Sequence, residues 1–320
     1  MPPPPAKHRS FYLILEHKPY DNLDYVKLRG AVMKLKSALM LVSVVFLWGS
    51  SFTLLKLGLE EIPPVTLAFL RFLVALPFVV AFTYSQEKNA FDGHILKEWK
   101  IFSALGLTGV TLYHVFQNFG LQLTTASNSS LIISANPVFI VVLDHFYLRE
   151  RMTLKHVFGV AFAFLGVVLI IRPVEWSLDP IRIVGDLLSL GAAISWAFYS
   201  VVGRDVLSNY GANRVTMFSL IVGTIFLFPS TFLLEQPVLP RSLWSWFLLL
   251  VLSLFCSGLA YLFWSKALED VSATKAGVFL FFLPVVSVSV ANLVLSESLD
   301  VFLAIGALLV ILGVVITERS

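Results

Sequence analysis

Ten stretches of mostly apolar residues follow one another along this chain, at approximately 37–58, 65–84, 101–123, 125–148, 154–171, 183–204, 214–234, 243–265, 276–295 and 301–317. About 20 such residues in a helix match the roughly 30 Å hydrocarbon core of a bilayer. Water is absent there, so a spanning segment must satisfy its backbone internally, and a continuous apolar run does so as a helix. The joints carry turn cues: EEIPP at 60–64, RPVEW at 172–176 and EQPVLPR at 235–241. Between the third and fourth runs stands only TTAS at 124–127, which predicts a tight hairpin. Composition agrees, with 58% hydrophobic and 13% charged residues, against about 25% charged in soluble chains. The expected fold class is therefore an all-α membrane protein with ten transmembrane helices.

Residues 1–33, opening MPPPPAKHRS, stand outside this pattern and lack the apolar core of a signal peptide. They are expected to be a disordered cytoplasmic tail, the alternative being a natural start at Met33, where MKLKSALMLV begins. An even number of spans puts both termini on one side. With that side inside, only Lys56, Arg172, Arg182 and Arg241 fall in outer segments and Arg71 within a span, while the other eighteen of the 23 lysines and arginines are inner. The positive-inside rule then places both termini in the cytoplasm. A formal net charge of +3 is too small to point to nucleic acid, and a single cysteine, Cys256, rules out an internal disulfide framework.

The chain also repeats itself. At a shift of 147 residues Pro137 falls on Pro284, Glu150 on Glu297, Gly159 on Gly306 and Gly166 on Gly313; at 148 Trp48 falls on Trp196, and at 150 Val65-Thr66 falls on Val215-Thr216. The units are 34–172 and 183–318. Each holds five spans, an odd number, so the second is expected upside down relative to the first. Inverted repeats of this kind build secondary transporters, with the substrate held near the midplane between the repeats.

Polar side chains inside the spans are the candidate site, because they are costly in hydrocarbon and belong in the bundle interior or in water. Trp48 and Trp196 fall near the bilayer centre, with Ser51 and Tyr199 on the same faces at i+3. Cavity lining competes here with helix packing through Gly49, Ser50 and Ser51. His114, Gln117 and Asn118 share a face of the third span, and the repeat pairs them with Tyr261, Trp264 and Ser265. These are read as lining the substrate path, against the alternative that the amides bond helices together.

Pro137 and Pro284 are mid-span, where proline removes a backbone donor and frees the carbonyls of Ile133 and Leu280. The expectation is a kink in each, usable as a hinge, with Asn136 beside the first. Glu150, Glu297 and Asp186 are expected to complement the N-termini of the helices they precede or open. Gly159, Gly166, Gly306 and Gly313 read as close-packing positions.

Two charges lie within spans. Asp144, about four residues from the inner end of the fourth, is the candidate proton-coupling acid, with His145 or His114 as relay; the alternative is pairing with Arg149, Arg151 or Lys155. Arg71 sits roughly 9 Å below the outer surface at 1.5 Å per residue, and the repeat sets Ile221 opposite it. It either snorkels outward to Glu60, Glu61 or headgroups, or faces the cavity and holds an anionic substrate group.

As a set, LWGSSFTLLKLGLEEIPPVTLAFLRFLVA, FQNFGLQLTTASNSSLIISANPVFIVVL with RERMTLKHVFGVAFAFLGVVLI, and GDLLSLGAAISWAFYSVVGR resemble the EamA-type branch of the drug/metabolite transporter superfamily, over essentially all of 37–318. The resemblance implies two inverted five-helix halves, a central cavity and export of amino acids or other small metabolites. Asp144 and His145 stand where the family usually carries apolar residues. An organophosphate or nucleotide-sugar exchanger is the runner-up, and would want several cations facing the cavity. A non-transporting sensor or scaffold and an intramembrane enzyme are the readings from other classes. No G-x-x-x-x-G-K-[ST] loop and no H-E-x-x-H occurs, and VGD at 184–186 lacks the first glycine of a GxGD protease. No catalytic residue, metal or cofactor is therefore expected. The expected partners are a small-molecule substrate and the lipid bilayer of a prokaryotic plasma membrane, with oligomeric state open.

Overall fold

The computed structural model describes residues 35–88, 90–91, 98–147, 154–171, 179–270, 279–280, 282–299 and 301–318. Among these residues every regular element is a helix. In chain order they are α1 (Leu35–Gly58), α2 (Pro64–Gln86), α3 (Trp99–Gly106), α4 (Tyr113–Leu123), α5 (Ala126–Ile133), α6 (Asn136–Tyr147), α7 (Leu154–Ile171), α8 (Pro180–Tyr210), α9 (Ala212–Leu234), α10 (Leu243–Val251), α11 (Ala260–Asp270), α12 (Leu283–Leu295) and α13 (Val301–Glu318). A π-helical segment, Leu107–Leu112, joins α3 to α4, and a second, Leu252–Leu259, joins α10 to α11. The helices coincide with the apolar runs to within about six residues where both are described, and the start of the ninth run, 276–278, lies outside the described residues. The stretches Leu35–Gly58, Pro64–Gln86, Pro180–Gly203, Ala212–Leu234 and Leu243–Trp264 are long and apolar enough to cross a membrane, and shorter apolar helices occupy Val157–Ile170, Leu283–Leu295 and Val301–Gly313.

The distribution of side chains is that of a lipid-solvated protein. Phe46, Leu233, Leu243 and Leu293 are largely exposed, whereas Thr53, Arg71, His114, Asn118, Asp186 and Ser189 are buried. Apolar flanks outside and polar groups inside suit a solvent of hydrocarbon, where polar atoms must find partners in the bundle.

Local chemistry sets the joints. Pro64 begins α2, where its missing N–H is lost at no cost. Thr125 opens α5 by accepting a hydrogen bond from Asn128 N at 3.0 Å, and Ser242 does the same for Ser245 N at the start of α10. Gly211 alone separates α8 from α9, at φ +77°, a conformation that disfavours any residue with a Cβ.

Two findings concern helix ends, the second a correction. Pro137 and Pro284 each follow an interruption of the helix. A turn at Ser134–Ala135 separates α5 from α6, Pro137 is the second residue of α6, and Pro284 falls in the first turn of α12. Each break lies in the turn N-terminal to its proline, where the missing N–H and the clash of the ring with the carbonyl four residues back interrupt a helix, so the expected kinks take the form of breaks. Glu297 does not serve its own helix α13; it accepts from Ala126 N and Ser127 N at 2.7 and 3.0 Å and so caps α5 in the other half. Asp186, in the second turn of α8, accepts from Thr124 Oγ1 at 2.6 Å and faces Asn128 and Arg182. Glu150 lies outside the described residues.

Packing pairs the halves. α7 lies along α13 and α2 along α9, each helix beside its own repeat partner. α12 packs on α1 as α5 and α6 pack on α8. Small residues permit the approach: a Cβ added to Gly166 would fall 2.6 Å from Gly306 O, and one on Gly313 2.5 Å from Gly159 O. Where α3 crosses α9, a Cβ on Gly106 would meet Gly223 N at 2.7 Å.

Candidate functional site

Where α1, α2, α4, the α5–α6 break, α8 and α11 converge, they enclose a cavity of about 70 Å³. Its wall is built from Trp48, Ser51 and Phe52 of α1, Arg71 of α2, and Tyr113, His114 and Gln117 of α4. Ile133, Ser134 and Asn136 at the break, Trp196 of α8, Tyr261 of α11, and Leu280 with Leu283 complete it. Eight of the residues singled out from sequence thus meet in one place: Trp48, Ser51, Arg71, His114, Gln117, Asn136, Trp196 and Tyr261. The repeat relation runs through the wall, since His114 is paired with Tyr261, Ile133 with Leu280, Asn136 with Leu283 and Trp48 with Trp196.

Aromatic rings form its frame. Trp48 stands edge-on to Trp196 at 6.3 Å between centroids and to Tyr261 at 5.5 Å, and Tyr113 meets Trp196 at 5.2 Å. Edge-to-face contacts of this kind are favourable beyond the area they bury. An indole N–H at such depth needs an acceptor, and Trp48 Nε1 finds the Cys256 carbonyl at 3.0 Å. Cys256 lies in the second π segment, whose wide turns loosen the usual i→i+4 ladder. Trp196 Nε1, at the twinned position, has no acceptor among the described residues.

The polar groups are held by one another. Gln117 donates from Nε2 to Tyr113 Oη at 3.4 Å, which turns its Oε1 toward His114 Nδ1 at 3.1 Å. With Oε1 placed there as acceptor, Nδ1 is the donor and Nε2 is left an acceptor. Arg71 is 3% exposed and donates from Nε to Ser257 Oγ, with its guanidinium 5.5 Å from the Phe72 ring centroid. Arg71 Nη1 and His114 Nε2 are both buried without a partner among the described residues.

Arg71 therefore does not snorkel outward. Of the two carboxylates that expectation offered it, Glu60 and Glu61, the second is engaged elsewhere: Glu61 accepts from Arg241 N, from Ser242 N at 2.9 Å, from Ser242 Oγ at 2.7 Å and from Ser245 Oγ, at the N-terminus of α10.

Three other sequence-derived candidates stand off the cavity wall. Asn118 is fully buried with its amide donating to Pro64 O at 2.9 Å, which ties α4 to α2. Tyr199 sits behind Trp196 at 5.2 Å and fills the space over Gly109. Trp264 flanks Trp48 at 5.7 Å within a cluster of Leu41, Ala267 and Phe279. The side chains of Asp144, His145 and Pro137 lie outside the described set, so the proton-coupling expectation for Asp144 falls there too. Sequence reasoning missed Tyr113, Phe52 and Ser134. Tyr113 had a signal, being four residues before Gln117 on the same helical face, and Phe52 follows Trp48 at i+4. No group of three or more metal-ligating side chains gathers among the described residues.

The chain matches the EamA-like transporter family twice, over residues 35–172 and 183–319. It is 33% identical over 293 residues to a protein of Archaeoglobus fulgidus named "Uncharacterized transporter", covering 90% of this chain and 99% of that one. It is 27% identical over 302 residues to an Escherichia coli protein named "Probable amino-acid metabolite efflux pump", covering 89% and 95%. A solved crystal structure with 22% identity superposes at a TM-score of 0.63 over 88% of this chain and 95% of the other, which speaks for a shared fold.

Proposed function

The chain belongs to the EamA-like transporter family, and from that premise we propose that it is a secondary transporter exporting small metabolites, amino acids or compounds related to them, by alternating access. In this reading ten helices span a prokaryotic plasma membrane as two inverted five-helix repeats, 34–172 and 183–318, with both termini in the cytoplasm. The named efflux pump among its relatives supports the substrate range.

One observation carries the mechanism. The cavity is walled by repeat-paired residues from both halves, so a rocking of one half against the other opens it to each side in turn around one set of contacts. Substrate is held by the ring frame and by Arg71, His114, Gln117 and Asn136. The breaks before Pro137 and Pro284 are places where helices can swing without giving up backbone hydrogen bonds. Arg71 is the cation in the wall, which disfavours an organophosphate exchanger, a substrate needing several.

Efflux from proteoliposomes loaded with a mixture of amino acids and their deaminated and hydroxylated derivatives tests this reading. Loss of at least one loaded solute well above protein-free vesicles is expected, with Trp196→Ala reducing it at least tenfold at equal folded protein. Retention of every solute by vesicles carrying folded protein overturns it.

A further inference from the structure

Arg71 is where the cavity breaks its own symmetry. The repeat pairs it with Ile221, so the cavity wall carries a cation from one half and none from the other. A guanidinium buried to this degree in a bilayer ordinarily faces a carboxylate, carbonyls or water. Here Nε is held by the neutral Ser257 hydroxyl, while among the described residues Nη1 has no partner and the cavity wall has no acid. Of the described carboxylates of neighbouring elements, Glu61 is committed to the start of α10, Asp186 to Thr124 and Glu235 to the start of α2, and Glu60 is exposed at the joint before α2. The charge of Arg71 thus stands in the cavity uncompensated among the described residues.

The second orphan is of the opposite kind. His114 packs 4.6 Å from the same Phe72 ring over which Arg71 lies, and its bare Nε2 calls for a donor. A solute that answers both has a carboxylate for Arg71 and a hydrogen-bond donor for His114. That donor is better neutral than charged. An ammonium beside the carboxylate would leave the cavity with a net positive charge and lie near the guanidinium, whereas a hydroxyl would leave it neutral.

Building on the transporter reading, we propose that this cavity selects small 2-hydroxycarboxylates over 2-amino acids. The carboxylate sits on Arg71 Nη1, the hydroxyl donates to His114 Nε2, and a short apolar body lies among Trp48, Phe52, Leu280 and Leu283. The cavity is far below the roughly 300–1,000 Å³ of common ligand sites, so the body is small.

The test uses the full-length protein in detergent and one carbon skeleton: 2-hydroxy-4-methylpentanoate, 4-methylpentanoate, leucine and 3-methylbutylamine, with binding read by thermal shift and tryptophan fluorescence. The hydroxy acid is expected to bind at least tenfold tighter than leucine, the simple acid in between, and the amine not at all. Arg71→Gln is expected to abolish the preference. Arg71→Lys, which keeps the charge but loses the planar fork, is expected to weaken hydroxy-acid binding at least fivefold, and it serves alone if the glutamine variant does not fold. Equal or tighter binding of leucine, no binding of the hydroxy acid at millimolar concentration, or hydroxy-acid binding unmoved in Arg71→Lys overturns the inference. Efflux of leucine alongside any of those results leaves the transporter reading standing. Arg71-dependent binding of the hydroxy acid with no efflux of any solute would remove the transporter reading and keep this one.

Discussion

Trp48 and Trp196 occupy equivalent places in the repeat and make unequal bonds. Trp48 donates to the Cys256 carbonyl and is wedged between Tyr261 and Trp264, while Trp196 lines the cavity with no acceptor for its N–H among the described residues. Removing the first indole N–H strands a buried carbonyl in a low-dielectric setting, which costs about 1–3 kcal/mol; removing the second strands nothing. Trp48→Phe should therefore lower the unfolding midpoint in detergent more than Trp196→Phe. Trp196→Phe should lose more solute affinity than stability. Equal thermal losses in the two variants would mean the Trp48 bond contributes nothing.

At the scale of elements, the helix ends are held by side chains from distant parts of the chain. Pro63 can offer no side-chain cap to α2, and Glu235, from the loop before α10, supplies it by accepting from Val65 N at 3.1 Å and Thr66 N at 2.6 Å. Glu61, from the loop before α2, returns the arrangement at the start of α10. Lys56 meets the opposite pole, donating to Leu121 O and Thr124 O at the C-terminus of α4. These contacts clamp one end of the bundle, the end bearing the 59–63, 124–125 and 235–242 loops.

The Glu61 clamp has a pH signature. Hydrogen bonds from the Ser245 and Ser242 hydroxyls and the Arg241 amide hold its carboxyl at about 2, below its ordinary 4.5. A depressed carboxyl contributes stability that is complete above its ordinary value and is lost as pH falls through the folded one. Hydrogen exchange at the amides of Arg241 and Ser242 should thus stay protected down to about pH 3 and open toward 2, while Glu61→Gln is unprotected throughout. Loss of protection already near pH 4.5 would mean the hydroxyls do not hold the carboxylate.

For the whole molecule the decisive property is orientation. Cysteines introduced at Glu60, Asp179 and Gln236, all exposed at helix joints, should be modified from outside intact cells by an impermeant thiol reagent. Cysteines at Lys88 and Asn209, also exposed, should react only after the membrane is opened. Modification of both sets from one side would remove the inverted arrangement and, with it, the rocking mechanism.

The amino-acid sequence alone determined the helical runs, their hairpin joints, the duplication and most of the polar residues of the interior. Each of these is written locally, in runs of apolar residues, in turn residues or in matches between two stretches of one chain. A helical face can likewise be read locally, which is why Trp48, Ser51, His114 and Gln117 were recognisable. What a face meets is not local. Asn118 neighbours Gln117, yet it bonds to Pro64 while Gln117 lines the cavity, because α2 crosses α4 on one side and the cavity opens on the other. Arg71 could have reached outward along its own helix; Ser257, 186 positions away, holds it inward. Glu297 caps α5 in place of its own helix, and the kink expected before Pro137 becomes a full break at Ser134–Ala135. All four outcomes depend on how helices from the two halves come together, and no stretch of sequence contains that relation because the contacting groups are joined only through space.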